Sequence, residues 1–144
     1  MNTISVATLD ALDPADCLAI RSRLTNPKSE FQVEVSRVLS GESSSITPIA
    51  MWHMDGALLA WACSHRWKDF AQTLEQYTDP HFRRRGIGMS LASALIAAGV
   101  LCRSEPVAVF SPATEAAASR LWMPGLVERF ERLGNEWVPA TPPH

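Results

Sequence analysis

The chain has 144 residues, 47% of them hydrophobic and 19% charged, which is the composition of a globular protein and argues against a disordered one. This length fits a single domain over residues 1–144 that buries its core without disulfides or metal ions. A formal net charge of −2 argues against a dedicated nucleic-acid or membrane-surface binder.

The cysteines and the N-terminal residues favour a cytoplasmic protein. Cys17, Cys63 and Cys102 lie far apart and have no CxxC spacing. Residues 1–10 lack the basic start and long apolar run of a signal peptide. The longest apolar stretch, 87–102, is too short and mixed to span a bilayer. We therefore expect reduced thiols, no membrane span and no bound metal.

The first half of the chain predicts a strand, two helices and a hairpin. Thr3–Leu9 alternates like a strand, and Asp13-Pro14 starts a helix that we expect to end near Asn26-Pro27. Phe31–Leu39 fits a strand or a helix, and we favour a helix. Two apolar runs flank Asp55-Gly56, which is the strongest short hairpin signal available.

The second half predicts a strand, a turn, a helix and a strand, followed by a helix and a hairpin. Phe70–Thr78 alternates, with Glu75 and Tyr77 on one face. The later elements are a helix from Ile87 to Gly99, a strand over 106–110, a helix over 114–123 and a hairpin that turns at Gly134-Asn135. A strand, helix and strand in this order normally give two parallel strands with a right-handed crossover.

The segment Thr78–Ser90 (TDPHFRRRGIGMS) joins positive charge, glycine and a helix start. A helix start leaves N–H groups without partners, and glycine lets a bulky anion approach them. Arg83–Arg85 add full charges, so the segment suits a pyrophosphate. The alternative is a charged turn that only opens an exposed helix. The spacing matches neither the Walker pattern nor the dinucleotide fingerprint, which argues against ATP and NAD.

These residues resemble the GNAT superfamily of acyl-CoA N-acyltransferases. Residues 83–88 (RRRGIG) match its Q/R-x-x-G-x-G/A signature, and residues 78–82 (TDPHF) resemble its V-D-P-x-F lead-in. The Asp55-Gly56 hairpin and the order of elements also resemble the family. The resemblance implies an α/β GNAT fold. That fold has a mixed, mostly antiparallel sheet of six to seven strands, about four flanking helices and a splay between its fourth and fifth strands.

The resemblance also implies an N-acetyltransferase that moves an acetyl group from acetyl-CoA to an amine on a small molecule or a protein. Acetyl-CoA would lie in the splay, with its pantetheine arm along the backbone of Tyr77 and Thr78. The implied cofactor-binding residues are Thr78, Arg83, Arg84, Arg85, Gly86, Ile87, Gly88, Met89 and Ser90. Sheets of this family often pair, which makes a homodimer a further possibility.

The resemblance offers candidates for the two proton transfers of amine acetylation. Glu75 lies in the strand from which family members present a carboxylate, so it is the candidate general base. The alternative is an exposed strand glutamate, and His65 and His81 are weaker candidates. Trp122 occupies the place of the usual tyrosine acid, and an indole N–H cannot donate that proton. Tyr77, the only tyrosine, is the remaining candidate, although it could simply pack in the sheet.

Two other hypotheses stay open. The first is a GNAT-like domain with weak or no catalysis that binds another protein through an aromatic surface, since the chain has five tryptophans. The second is a nucleic-acid contact through the arginine triplet, which the acidic balance disfavours. The sequence does not specify the acceptor, although His53, His65 and Glu34 are candidates for its pocket. Thr114 or Glu115 replaces an asparagine that often contacts CoA in the family.

Overall fold

The computed structural model describes residues 1–23 and 30–140. The strands are β1 (Asn2–Thr8), β2 (Pro48–Met54), β3 (Ala57–Cys63), β4 (Thr73–Thr78), β5 (Val107–Val109), β6 (Val127–Leu133) and β7 (Glu136–Pro139). The helices in these ranges are α1 (Pro14–Arg23), α2 (Glu30–Leu39), α3 (Ile87–Ala97) and α4 (Pro112–Ala118). None of them is long and apolar enough to cross a membrane.

The strands form one mixed sheet whose order follows the chain, from β1 to β7. β1 to β4 are antiparallel, β4, β5 and β6 are parallel, and β7 returns antiparallel to β6. The β4–β5 ladder contains only Thr73 with Ala108 and Leu74 with Val109, while β4 continues to Thr78. The sheet therefore splays between β4 and β5, and the predicted GNAT-like architecture is confirmed.

Side chains alternate between two buried layers, one on each face of the sheet. Ala50 and Trp52 of β2 lie in the layer under α3 and α4, whereas Ile49 and Met51 lie in the layer under α1 and α2. Each fully buried leucine of α3, such as Leu91, contributes about 1.5–3 kcal/mol of hydrophobic stabilisation. The rigid sheet between these layers fixes the direction of β4, which carries the candidate catalytic residues.

Two predicted turns have the backbone conformations that their residues favour. Asp55 (φ 51°) and Gly56 (φ 85°) both have positive φ, as a tight two-residue hairpin between β2 and β3 requires. α3 ends at Ala97, and Gly99 (φ 79°) follows in the left-handed region, with the N–H of Val100 donating to the carbonyl of Leu95 at 2.9 Å. The hairpin and the helix stop are confirmed.

The predicted bounds of β1 and β5 differ from the structure by one residue, and those of β4 and α4 differ by more. β4 begins at Thr73 rather than Phe70, because Trp67 and Phe70 exchange backbone hydrogen bonds (3.1 and 2.9 Å) in a tight turn. α4 begins at Pro112 rather than Thr114 and ends at Ala118 rather than Met123. Its start is set by the Ser111 hydroxyl, which accepts a hydrogen bond from the N–H of Thr114. The expected end of α1 near Asn26-Pro27 lies outside the described residues.

Candidate functional site

A cleft of about 750 Å³ lies where β4 and β5 separate. Its walls come from three elements: the end of β4 (Gln76, Tyr77 and Thr78), the turn and first residues of α3 over 82–89, and one face of α4. Three arginines line this cleft (Arg83, Arg84 and Arg120), and its described lining contains no carboxylate. The cleft therefore suits an elongated ligand with negative charge at one end.

The turn into α3 presents backbone N–H groups to the cleft. Arg84 (φ 65°) and Gly86 (φ 76°) are both in the left-handed region, and Gly86 is the N-cap of α3. The first turn of a helix leaves its N–H groups without intrahelical partners, which here concerns residues 87–89. A side chain at position 86 would meet no atom within 4 Å, so the approach to these N–H groups is open. The geometry fits an anion at the helix start.

Gln76 fixes the distance between β4 and this turn. Its Nε2 donates to the carbonyl of Gly88 at 2.5 Å, and its Oε1 lies 3.1 Å from where a Cβ at Gly88 would be. Glycine at position 88 allows close packing of strand and helix, whereas glycine at position 86 favours the left-handed backbone conformation found there. Glycine is therefore favoured at positions 86 and 88 for two different physical reasons.

The three arginines of the turn point to different places. Arg83 folds back, with its Nε donating to the carbonyl of Thr78 at 2.9 Å and its guanidinium 5.9 Å from the Tyr77 ring. The Arg85 guanidinium lies 5.2 Å from the ring of Phe82. Arg84 lines the cleft, whereas Arg85 and Ser90 are not among its described lining residues. Ser90 instead donates from its hydroxyl to the carbonyl of Gly86 at 3.1 Å.

Helix α4 and the turn after it supply a further wall, of which the sequence pointed only to Thr114 or Glu115. Ala113, Ala116, Ala117 and Arg120 line the cleft together with Ser111 and Thr114. The three alanines lie on one face of α4 and Arg120 lies in the turn that follows it, and the small alanine side chains leave room for a ligand beside the helix. Three alanines and an arginine at this spacing were the sequence signal that could have indicated this wall of the cleft. The arginine adds a positive charge opposite the glycine turn.

The candidate catalytic residues Glu75 and Tyr77 share one face of β4. The Glu75 carboxylate is about one-third exposed and lies 3.5 Å from Nε2 of His65. The Oγ1 of Thr73 lies 3.4 Å from the other ring nitrogen of His65. The Tyr77 ring stacks on Trp61 at 4.6 Å, and Tyr77 also lines the cleft. The candidate base Glu75 and the candidate acid Tyr77 therefore lie on the same face of β4, and His65 lies beside Glu75.

Several other candidates have structural roles in the described residues. Trp122 is 3% exposed, and its Nε1 donates to the carbonyl of Cys102 at 3.0 Å, so it is a core residue. Nε2 of His53 lies 3.0 Å from the carboxylate of Asp16, which links β2 to α1. Glu34 accepts hydrogen bonds from Ser45 and Thr47. Glu115 lies 3.2 Å from Arg129, at ion-pair distance. These four residues hold elements together.

Asp79 holds the segment between β4 and the turn. The backbone N–H of His81 donates to its carboxylate at 3.0 Å and, with the His81 ring and Arg23, lowers the pKa of Asp79 against the opposing effect of burial. Its own N–H donates to the carbonyl of Leu59 at 2.8 Å, which anchors the segment to β3. His81 is 88% exposed and lies on the outside of this turn. Hydrogen bonds of Asp79 therefore fix the segment that leads into the turn, both to its own residue His81 and to β3.

In the part of the chain that the structure describes, no group of three or more histidine, cysteine or acidic side chains is placed to hold a metal ion. Burial raises the pKa of the Cys63 thiol well above its ordinary value, and the carboxylates of Glu75 and Glu34 raise it further. Cys63 is the Cα partner of Glu75 in the sheet. This thiol is therefore neutral and lies beside the candidate base, on the neighbouring strand.

The chain is similar to known proteins in its structure. No protein-family model matches the sequence, and no curated protein matches it significantly. Aminoglycoside N-acetyltransferase AAC(6′)-Iy, solved in complex with CoA, matches with a TM-score of 0.51 and 15% identity, over 83% of this chain and 84% of that chain.

Two further structures match less of the chain. YncA from Salmonella typhimurium, solved with its cofactor acetyl-CoA, has a TM-score of 0.45 and 18% identity over 66% of this chain. A GNAT superfamily phosphinothricin acetyltransferase from Sinorhizobium meliloti, in complex with acetyl-CoA, has a TM-score of 0.45 and 20% identity over 67% of this chain. The chain spans 62% and 59% of the lengths of these two proteins.

AAC(6′)-Iy thus shares the fold over most of both chains although few residues are identical. The resemblance of residues 78–90 to the GNAT signature agrees with the place where the sheet splays. The resemblance is confirmed at the level of the fold, and this chain has the GNAT fold of the acyl-CoA N-acyltransferases.

Proposed function

We propose that this protein is an N-acetyltransferase that transfers an acetyl group from acetyl-CoA to an amine. One observation carries the proposal: the cleft in the splay is lined by three arginines and no described carboxylate, and it meets the first turn of α3. Full positive charge together with unpaired backbone N–H groups favours binding of a pyrophosphate. Structures of the same fold solved with CoA or acetyl-CoA support the choice of ligand.

The residues that would hold acetyl-CoA lie along the cleft. The N–H groups of residues 87–89, the bare backbone of Gly86 and the Arg84 side chain would hold the pyrophosphate. The edge of β4 over 76–78 and the alanine face of α4 would enclose the pantetheine arm, with Thr78 at its entrance. Arg120, on the opposite wall, would add a charge contact to the phosphates. We retain Arg83, Arg85 and Ser90 as binding residues that act through the shape of the turn.

The chemistry requires two proton transfers that this chain's residues can supply. Acetyl-CoA supplies an activated thioester when it is bound. Acetyl transfer forms an N–C bond and breaks a C–S bond, so the amine loses one proton and the sulfur gains one. We propose that the carboxylate of Glu75 receives the amine proton, because it lies on β4 at the splay. We propose that the Tyr77 hydroxyl supplies the proton for the sulfur.

Glu75→Gln tests the proposed base. We expect it to lower kcat/KM for an acetylated amine by about 100-fold or more, because a positioned base contributes about 10²–10⁴-fold. The Kd of acetyl-CoA, measured by calorimetry, should stay within about twofold of wild type. Glu131→Gln, at an exposed glutamate of strand β6, is the matched control and should change neither value. A Glu75→Gln variant with wild-type turnover would exclude Glu75 as the base.

The remaining expectations from the sequence stay predictions. These are a single domain over residues 1–144, a cytoplasmic location and a possible homodimer. The alternative of a GNAT-fold protein that acts only by binding another protein would be favoured if acetyl-CoA does not bind. Calorimetric binding therefore separates the two functions before any acceptor is known.

A further inference from the structure

We propose that the acceptor is a primary amine joined by a short chain to an aromatic ring, and that the ring packs on an aromatic surface beside Glu75. The aromatic surface consists of Trp67, Phe70, Phe110, Phe130 and Trp137. This inference rests on the proposed acetyltransferase function and names the class of amine.

The aromatic surface is a separate cluster rather than part of either buried layer. Its rings contact one another with centroids 4.8 to 6.4 Å apart, and the Trp67 ring meets both Phe110 and Phe130 edge-on. Phe130 is buried, but the other four rings are half-buried and keep part of their surface in water. Edge-on stacking of this kind leaves ring faces and edges that another aromatic ring can join.

The sheet register places this surface across the splay from the candidate base. Thr73 of β4 pairs with Ala108 of β5, so two residues further on Glu75 and Phe110 face each other over the gap. Both lie on the side of the sheet opposite α3, because the alternate residues Leu74 and Val109 lie in the layer under that helix. The Glu75 carboxylate thus lies on the β4 side of the splay and the Phe110 ring lies on the β5 side.

Charge on the far rim of the surface limits the class of amine. Lys68 Nζ lies 4.6 Å from the Trp67 ring centroid, and the Arg132 guanidinium lies 5.8 Å from that of Trp137. The exposed Glu128 is on the same side of the sheet, but the two charges that lie over the rings are both positive, so a second ammonium group placed on the rings would meet repulsion. A ligand with one ammonium and one aromatic ring can contact Glu75 with the ammonium and Phe110 with the ring, without that repulsion. The surface therefore favours a monocationic aromatic amine over a polycation.

The test compares three amines at saturating acetyl-CoA, with acetylated products quantified by mass spectrometry. They are 2-phenylethylamine, ethylamine (the same amine without the ring) and spermidine (a polycation). We expect kcat/KM for 2-phenylethylamine to exceed that of the other two by at least about tenfold, which is what burial of one ring provides in binding. Equal values for the three amines, or a preference for spermidine, would overturn the inference.

Variants of Phe110 show whether the preference arises on this surface. Phe110→Ala should reduce the preference for 2-phenylethylamine over ethylamine to within about twofold, mainly through KM. Phe110→Leu keeps an apolar side chain and should retain part of the preference, so the test does not depend on the alanine variant folding. Leu133→Ala, at an exposed leucine of β6, the strand that also carries Phe130, is the control and should keep the full preference. A full preference in both Phe110 variants would contradict the proposed surface.

Failure of this inference and failure of the proposed function give different results. A protein that binds acetyl-CoA and acetylates only spermidine, or no amine in the set, lacks the proposed acceptor site but keeps its cofactor site. A protein that does not bind acetyl-CoA lacks both. Calorimetry with acetyl-CoA on the same preparations separates these outcomes.

Discussion

At the scale of single residues, the turn into α3 depends on two left-handed positions. Gly86 has φ 76°, which glycine adopts without steric cost, so a glycine in the sequence predicts it. Arg84 has φ 65°, which non-glycine residues seldom adopt, and no sequence pattern indicates it. The sequence therefore predicts the glycine turn, whereas it predicts neither the left-handed backbone at Arg84 nor the contacts that orient Arg83 and Arg85.

The three cysteines should differ sharply in reactivity. Burial, assisted by nearby carboxylates, raises the pKa of the Cys17 and Cys63 thiols, whereas Cys102 is exposed. Because the thiolate is the reactive form, we expect iodoacetamide to label one cysteine of the native protein near neutral pH and all three in denaturant. Intact mass spectrometry counts the labels, and Cys102→Ser should abolish the fast label. Rapid native labelling of Cys63 would contradict its burial.

The raised pKa of the buried thiols also determines whether the free energy of unfolding rises or falls with pH. A thiol that keeps its proton in the folded state loses it more readily in the unfolded chain, where its pKa is about 8.5. The stability of the folded state is therefore complete below that pH and falls as the solution becomes more alkaline.

Trp122→Phe tests whether Trp122 belongs to the core or to the catalytic machinery. The variant loses the hydrogen bond from Nε1 to the carbonyl of Cys102 and part of a buried ring. We expect the free energy of unfolding to fall by about 1–3 kcal/mol, as measured by urea denaturation. The Kd of acetyl-CoA and the turnover should stay within about twofold of wild type. A large loss of turnover at unchanged stability would place Trp122 in the active site.

At the scale of elements, α4 shows what local sequence signals can and cannot specify. The Ala-rich run predicts a helix, and Ser111-Pro112 carries the signal for its start, a serine N-cap followed by proline. The end is set by tertiary contacts: after Ala118 the backbone turns so that Trp122 enters the core and its indole reaches Cys102. Such contacts between distant segments are absent from a helical periodicity, so the predicted end at Met123 was wrong.

The alanine face of α4 should be essential for cofactor binding. Ala117→Phe places a ring in the cleft, where acetyl-CoA would lie, while leaving the helix N-cap and the core side unchanged. We expect the Kd of acetyl-CoA to rise by at least about tenfold, with the free energy of unfolding within about 1 kcal/mol of wild type. Ser119→Phe, at an exposed position just after the helix, is the control and should bind normally. Unchanged binding in Ala117→Phe would exclude this wall from the site.

At the scale of the whole molecule, the fold was more predictable than the acceptor side of the site. The hairpin at Asp55-Gly56 and the strand, helix and strand order are readable in the sequence, and the resemblance of residues 78–90 to the GNAT superfamily implied the mixed sheet that the structure shows. The aromatic surface is different. Its rings come from the loop after β3, the end of β5 and the final hairpin, and only the sheet register brings Trp67, Phe110 and Trp137 together.

Calorimetric titration of acetyl-CoA into wild type, Gly86→Asp and Gly41→Asp tests the central claim most directly. Gly86 and Gly41 both have φ 76° and open space at Cβ, so both variants carry similar backbone strain. At position 86, however, an aspartate would place a negative charge at the start of α3, beside the N–H groups proposed for the pyrophosphate, whereas Gly41 lies outside the cleft.

We expect wild type and Gly41→Asp to bind acetyl-CoA with Kd values within about twofold of each other, and Gly86→Asp to bind at least about tenfold more weakly. This result would place the pyrophosphate on the turn at the start of α3. Equal binding by all three proteins, or no binding by wild type, would contradict the proposed site.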